Sequence, residues 1–383
     1  MKTTLRRIGK FCVAAGLLYL FLLSIKLLSG GMKLTGSDFG EALINSTTNP
    51  FVGLLIGMLV TSIIQSSSTT TSLIVTFVAG QALLFNQSDP EMAKQALTNA
   101  IPMVMGANIG TTVTNTLVSL AHITRRDEFR RALAAASVHD FFNVLTTLVL
   151  LPVEILFHPL RDAGWLLADS LSLGRGIEYS NPITAATGPV VHAVTETAAS
   201  MGNPKVMGIV LAVVAAPALF GALAGLVKVL KSAAMGRIEL LFDRVIGGSA
   251  IKAMLAGVII TAVVQSSSVT TSLLVPMAGA GIISLERIFP MTLGANIGTT
   301  VTAILAGASG NVYGMAIAFS HLLFNIAGIL IYYPVPQVRR IPLRLARWLG
   351  NVAAHRRFYA IIYIVVIFFL MPAAFIMIYR WLS

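Results

Sequence analysis

The chain has 383 residues, 56% hydrophobic and 11% charged, with a formal net charge of +12 and a mean hydropathy of +0.83. Soluble domains carry about 25% charged residues, so the composition excludes one large soluble core and points to a polytopic membrane protein. The single cysteine, Cys12, excludes an intrachain disulfide and a multi-cysteine metal site. The basic residues lie between apolar runs, which reads as the positive-inside signal with some attraction to anionic lipid, not as nucleic-acid binding.

The first element is MKTTLRRIGK followed by an apolar run from Phe11 to Leu28. That run exceeds the roughly 7–15 residues of a signal peptide, and no small-x-small cleavage site follows. Residues 11–30 are therefore expected to be a first membrane span with its N-terminus inside. Lys26 is expected to snorkel to the interface. Residues 50–85 form a longer apolar stretch split by QSSSTTTSL at Gln65. Two half-length helices meeting at a polar tip describe a re-entrant hairpin, which requires burial in protein or a wet cavity. A broken helix over 96–121 carries GANIGTTVT from Gly106, whose glycines permit a break. RRDEFRR at 125–131 is basic, and 132–157 is a span containing HDFFN at 139–143. Glu154, near its end, is expected to be interfacial.

Residues 158–205 read as an external linker. Spans over 206–230, 288–309 and 311–333 follow, with a second hairpin over 250–285 centred on QSSSVTTSL. The 288–309 segment is again expected to break, at its own GANIGTTVT. Residues 339–357 have the pattern of an amphipathic helix on the inner surface, and 358–380 form a last span.

Three landmarks recur in order: QSSS (265 − 65 = 200), GANIGTTVT (294 − 106 = 188) and H-x-x-F-N (321 − 139 = 182). The chain is thus two homologous halves, 1–157 and 206–333, plus a C-terminal addition over 334–383. The expected fold class is an all-α polytopic membrane protein with an inverted-topology repeat. Each half has about three spans and one QSSS hairpin, and one extra helix follows. That arrangement puts every basic end on one side, and the odd span number inverts the second half, so both hairpin tips can meet at the midplane.

Inverted repeats with broken helices are the signature of secondary transporters. Gln65, Ser66, Ser67, Ser68 and Gln265, Ser266, Ser267, Ser268 supply hydroxyls and amides. Serines at a half-helix start also lie beside free N–H groups and a positive dipole end, which together suit an anion. Neither tip carries Lys or Arg, so co-bound cations are needed. Asn108, Thr111, Thr114, Asn115 and Thr116, with Asn296, Thr299 and Thr302, are hard oxygen donors for a small alkali cation. Asp140 is the one carboxylate well inside an apolar span, and its counterpart is Leu322; an intramembrane acid points to function. Asp140 and Asn143, the latter one turn beyond His139, are further candidate sodium ligands. His139 and His321 read as structural hydrogen-bonding residues.

Doubled QSSS, doubled GANIGT, the stretch RRDEFRRALAAASVHDFFNVLTTLVLLPVE, and HLLFN together resemble the type II sodium-dependent inorganic phosphate cotransporter family. The resemblance implies a sodium-driven phosphate importer, not an enzyme, in the plasma or cytoplasmic membrane. Sodium would be the coupling ion, and phosphate, sodium and membrane lipid the partners, with a homo-oligomer allowed. It also implies a phosphate site built from both QSSS hairpins and a sodium site at Thr299 and Thr302. Ala295 stands where some members have Ser. Asp140 and Ala107 match the electrogenic members. The alternatives are a sodium-coupled carrier of another oxyanion such as sulfate, an anion channel, and an intramembrane hydrolase using a serine with His139 and Asp140. The last lacks a Gly-x-Ser-x-Gly turn.

Overall fold

The computed structural model describes residues 2–35, 48–85, 90–171, 182–245 and 249–382, and every regular element among them is helical. In chain order these are α1 (Lys2–Thr35), α2 (Pro50–Ile64), α3 (Ser67–Phe85), α4 (Pro90–Gly110), α5 (Thr112–Ser119) and α6 (Arg126–Phe157). There follow α7 (Pro159–Leu171), α8 (Pro182–Ser200), α9 (Pro204–Val245), α10 (Ala250–Val264), α11 (Ser267–Gly279) and α12 (Leu285–Ser309). The chain closes with α13 (Val312–Tyr332), α14 (Pro336–His355), α15 (Phe358–Val365) and, after a π-helical stretch, α16 (Met371–Leu382). Among the described residues six segments are long and apolar enough to cross a membrane: Gly9–Leu28, Arg126–Phe157, Pro204–Leu226, Leu285–Ser309, Val312–Tyr332 and Phe358–Leu382.

The helices α2 and α10 are built alike. The Asn49 side chain caps α2 by accepting from the N–H groups of Phe51 and Val52, and Ser249 accepts from Lys252 at the start of α10. Each runs 15 residues, a rise of about 22 Å against a hydrocarbon core of roughly 30 Å. Each then stops at a glutamine, Gln65 or Gln265, in the left-handed region at φ 61° or φ 60°. A hydrogen bond between the Thr261 and Thr270 hydroxyls (2.8 Å) closes the second turn.

Close helix contact explains the repeated glycines. A Cβ on Gly106 would lie 1.9 Å from the Leu54 carbonyl oxygen, and one on Gly294 would lie 1.9 Å from that of Met254. From the other side, a Cβ on Gly57 or Gly257 would meet the Met103 or Met291 oxygen at 2.0 and 2.1 Å. So α2 seats on α4, and α10 on α12, backbone to backbone, the small-residue packing expected between membrane helices. The far limb of each hairpin crosses over: α3 packs on α12 and α13, while α11 packs on α5 and α6. The two halves are interlocked through these limbs.

Several expectations change. The segment 96–121, expected to be a broken helix, consists of α4 and α5 divided at Thr111, with most of its polar residues buried. The second GANIGTTVT, expected to break, lies inside the unbroken α12, although its glycines approach α10 as those of the first copy approach α2. The 158–205 segment is largely helical where described: α7 is seated on α13, with Gly164 against Ser320 and Ala316, while residues 172–181 lie outside the described residues. Glu154, near the end of α6, is buried. Its carboxylate accepts from the N–H groups of Leu160 (2.7 Å) and Arg161 (3.1 Å), capping α7. The expected amphipathic helix is α14, with Leu343, Ala346, Leu349 and Ala353 buried and Arg344 and Trp348 exposed. The side chains of Lys231, Arg237 and Arg244, part of the basic pattern, lie outside the described residues.

Candidate functional site

Both glutamines at the turns are held the same way. The left-handed region costs a non-glycine residue about 1–3 kcal/mol, so something must hold each in place. The backbone N–H of Gln65 donates to the Thr61 carbonyl and that of Gln265 to the Thr261 carbonyl, both at 2.7 Å. The side-chain amides fold back onto the Ser62 and Ala262 carbonyls. The amide oxygens accept from Thr114 (2.8 Å) and Thr302 (2.6 Å), which are 188 positions apart and therefore counterparts. The two GANIGTTVT threonines expected to serve a cation thus sit at the hairpin tips.

The hydroxyl run divides into two parts. Thr70, Thr71, Ser72 and Thr76 donate to carbonyls four residues back, which lets α3 bury them. The tip serines do other things. Ser66 lies 2.7 Å from the Thr69 hydroxyl, and Ser266 caps α11 by accepting from the Val269 N–H. Ser68 reaches across the halves and donates to the Gln265 carbonyl at 3.3 Å. Ser67, Ser267 and Ser268 are buried.

Beside the tips lies a lattice of asparagine and histidine. Asn143 donates to the Asn108 carbonyl (3.1 Å), and its counterpart Asn325 to the Asn296 carbonyl (3.3 Å). His139 meets the Asn296 side-chain oxygen at 2.5 Å, and His321 meets that of Asn108 at 3.2 Å. Asn296 also donates to the Asn143 side chain at 2.8 Å. Asn115 accepts from Thr271 (2.8 Å) and Ser272 (3.2 Å) of the opposite hairpin.

Not every expected donor converges. Thr111, Thr116 and Thr299 donate to their own helices, at the carbonyls of Ala107, Thr112 and Ala295. Asp140 is 2% exposed, and its Oδ1 has no hydrogen-bond partner. A hydrolytic arrangement does not form at His139, whose ring nitrogens face Thr112 and Asn296, not a serine. Sequence reasoning did not single out Thr112, Thr271 or Ser272. The repetition of Thr271 as Thr71 within the QSSS blocks was the available signal.

A profile of the Na+/Pi-cotransporter family matches residues 20–153 and 219–346, the two segments that hold both hairpins and both asparagine–threonine motifs. The chain belongs to the Na+/Pi-cotransporter family. This is a family of transporters, not of enzymes. Sodium-dependent phosphate transport protein 2B of Pongo abelii is 34% identical over 457 aligned positions, covering 95% of this chain and 64% of that protein. Sodium-dependent phosphate transport protein 2A of Ovis aries is 35% identical over 449 positions, covering 96% of this chain and 68% of that protein. The human 2B protein is 33% identical, with 95% and 64% coverage. The chain spans about two thirds of the length of these Na+/Pi cotransporters. No solved structure matches it.

Proposed function

We propose that this chain is a sodium-coupled symporter that carries inorganic phosphate into the cell by alternating access. The observation that carries the reading is the meeting of the two glutamine turns, bridged by Ser68 on the Gln265 carbonyl and each clasped by an equivalent threonine. Phosphate is a tetrahedral anion with oxygens on all sides. Two helix starts converging from two halves offer it hydroxyls, backbone N–H groups and two positive dipole ends.

Phosphate would be held by Gln65, Ser66, Ser67 and Ser68 with Gln265, Ser266, Ser267 and Ser268. Sodium would use the oxygen donors beside them. Thr302 and Thr299 would serve the second tip, and Thr114 with Asn115 and Thr116 the first. Asn108, Thr111, Asn143 and Asn296 would lie along the ion path. The buried Asp140, with an oxygen left unpartnered, suits a further sodium ion. A carboxylate that stays ionised there makes each cycle carry net positive charge inward. The short α2 and α10, the matched pairings of the two halves and the basic segments support hairpins that enter an inverted repeat from opposite faces, with the N-terminus inside. The relatives' names support the plasma or cytoplasmic membrane as its place.

The test removes one hydroxyl from each tip. Each of Ser67→Ala and Ser267→Ala is expected to weaken phosphate binding about ten- to hundredfold, the worth of a hydrogen bond to a charged group, while the melting temperature is kept. Unchanged phosphate affinity in both variants would refute the site. Competition by sulfate and arsenate separates phosphate from the rival oxyanions: sulfate is expected to compete poorly.

A further inference from the structure

A basic cavity lies apart from the turns at Gln65 and Gln265, none of whose residues line it. A cavity of about 300 Å³ opens between the start of α6, the loop that leaves α11, the start of α12 and the flank of α14. Three guanidinium groups line it, from Arg130, Arg131 and Arg347, with Ser284, Glu286 and Asn351. Its one carboxylate, Glu286, is paired with Arg347. Arg131 is held by donating from Nε (3.0 Å) and Nη2 (2.7 Å) to the Gly279 carbonyl, which fixes the guanidinium plane at the cavity wall. Arg130 is tied to Asp127 only loosely, at 3.5 Å and largely exposed. The N-cap residue of α12, Ser284, makes no side-chain cap bond, so the positive end of a 25-residue helix faces the same space.

Two features fix the depth and kind of ligand. α14 packs along α6 with Gly350 against the Arg130 carbonyl. Its outer face exposes Arg344, Arg347 and Trp348. An exposed tryptophan among arginines belongs at the headgroup level of a membrane. A basic recess between helices at that level is the form an anionic headgroup takes up. Planar guanidinium groups favour oxyanions that can accept two parallel hydrogen bonds, which a phosphoryl group does.

From this geometry we infer that the cavity binds a phosphoryl anion, either the headgroup of an anionic phospholipid or free phosphate at the inner mouth of the protein. It is separate from the hairpin tips and needs no sodium.

The test uses the full chain purified in neutral detergent and sodium-free buffer, so that the sodium-dependent site of the proposed function is silent. Thermal melting is followed during titration with phosphatidic acid, with phosphatidylcholine, and with inorganic phosphate alone. Phosphatidic acid or phosphate, but not phosphatidylcholine, is expected to raise the melting temperature. Arg130→Gln and Arg347→Gln should each weaken that effect about tenfold, the share of one charge-assisted hydrogen bond. Glu286→Gln removes the only carboxylate and should strengthen it, an outcome that misfolding cannot imitate. A response to phosphatidic acid alone identifies the headgroup, and an equal response to phosphate identifies the free ion. The inference is overturned if no phosphoryl ligand shifts the melting temperature, or if the arginine variants and Glu286→Gln respond as wild type. Either result leaves sodium-driven uptake untouched, just as a failure of uptake would leave an arginine-dependent shift standing.

Discussion

The strained glutamines are where a single residue matters most. Gln265 keeps its left-handed turn with help from Thr302, whose hydroxyl bonds the amide oxygen at 2.6 Å. Thr302→Val keeps the shape and leaves that oxygen without its donor, at a cost of about 1–3 kcal/mol. The expected result is a rise of about tenfold or more in the sodium concentration that half-saturates uptake. Thr300→Val is the control, because the Thr300 hydroxyl donates only to the Ile297 carbonyl of its own helix, and it should leave the sodium curve in place. Asp140 gives a second prediction at this scale. Asp140→Gly removes the buried carboxylate, so the variant should transport more slowly and lose its response to membrane potential. Uptake measured with and without a potassium–valinomycin potential checks this, since one charge crossing 100 mV is worth about 2.3 kcal/mol. Retained voltage dependence in Asp140→Gly would contradict it. Duplication singled out the glutamines and serines in the sequence, and an apolar context singled out Asp140. The pairing of His321 with Asn108, 213 positions away, was not, since nothing local in either motif names its partner.

At the scale of elements, the repeated glycines hold the helices together. Gly106→Ala and Gly294→Ala would each drive a Cβ to 1.9 Å from a carbonyl oxygen of the neighbouring helix, which cannot be relieved without parting α2 from α4 or α10 from α12. Overpacking of this kind costs about 1–3 kcal/mol or more. Both variants should melt several degrees lower or fail to fold. Gly221→Ala meets nothing within 4 Å and should be neutral or slightly stabilising, since alanine is the better helix former by about 1 kcal/mol. Equal melting temperatures for all three would show that the close contacts are not needed. The same glycines did not reveal where a break would fall. Glycine permits both a helix break and close approach; both copies make the close approach, and only the first breaks. The 25-residue α12 runs through its GANIGTTVT unbroken. The turns at Gln65 and Gln265 were legible because a cluster of hydroxyls in the middle of an apolar run interrupts it at a definite point. The helices α7 and α8 were hidden because a short amphipathic helix seated on a membrane bundle is indistinguishable from a linker by composition.

At the scale of the molecule, the far limb of each hairpin packs against helices of the opposite half. Under the proposed alternating access, this interlock would link the two tips. The all-helical membrane class was legible from hydropathy; the packing of α3 on α12 and α13 and of α11 on α5 and α6 was not, because it is set by long-range contacts. The most direct test is phosphate uptake by purified protein in liposomes under an inward sodium gradient. Uptake is expected to require sodium, to fall to background when choline replaces it, and to accelerate when the inside is made negative. Equal uptake in choline and sodium, or no phosphate uptake by protein that melts cooperatively, would contradict the sodium-coupled mechanism.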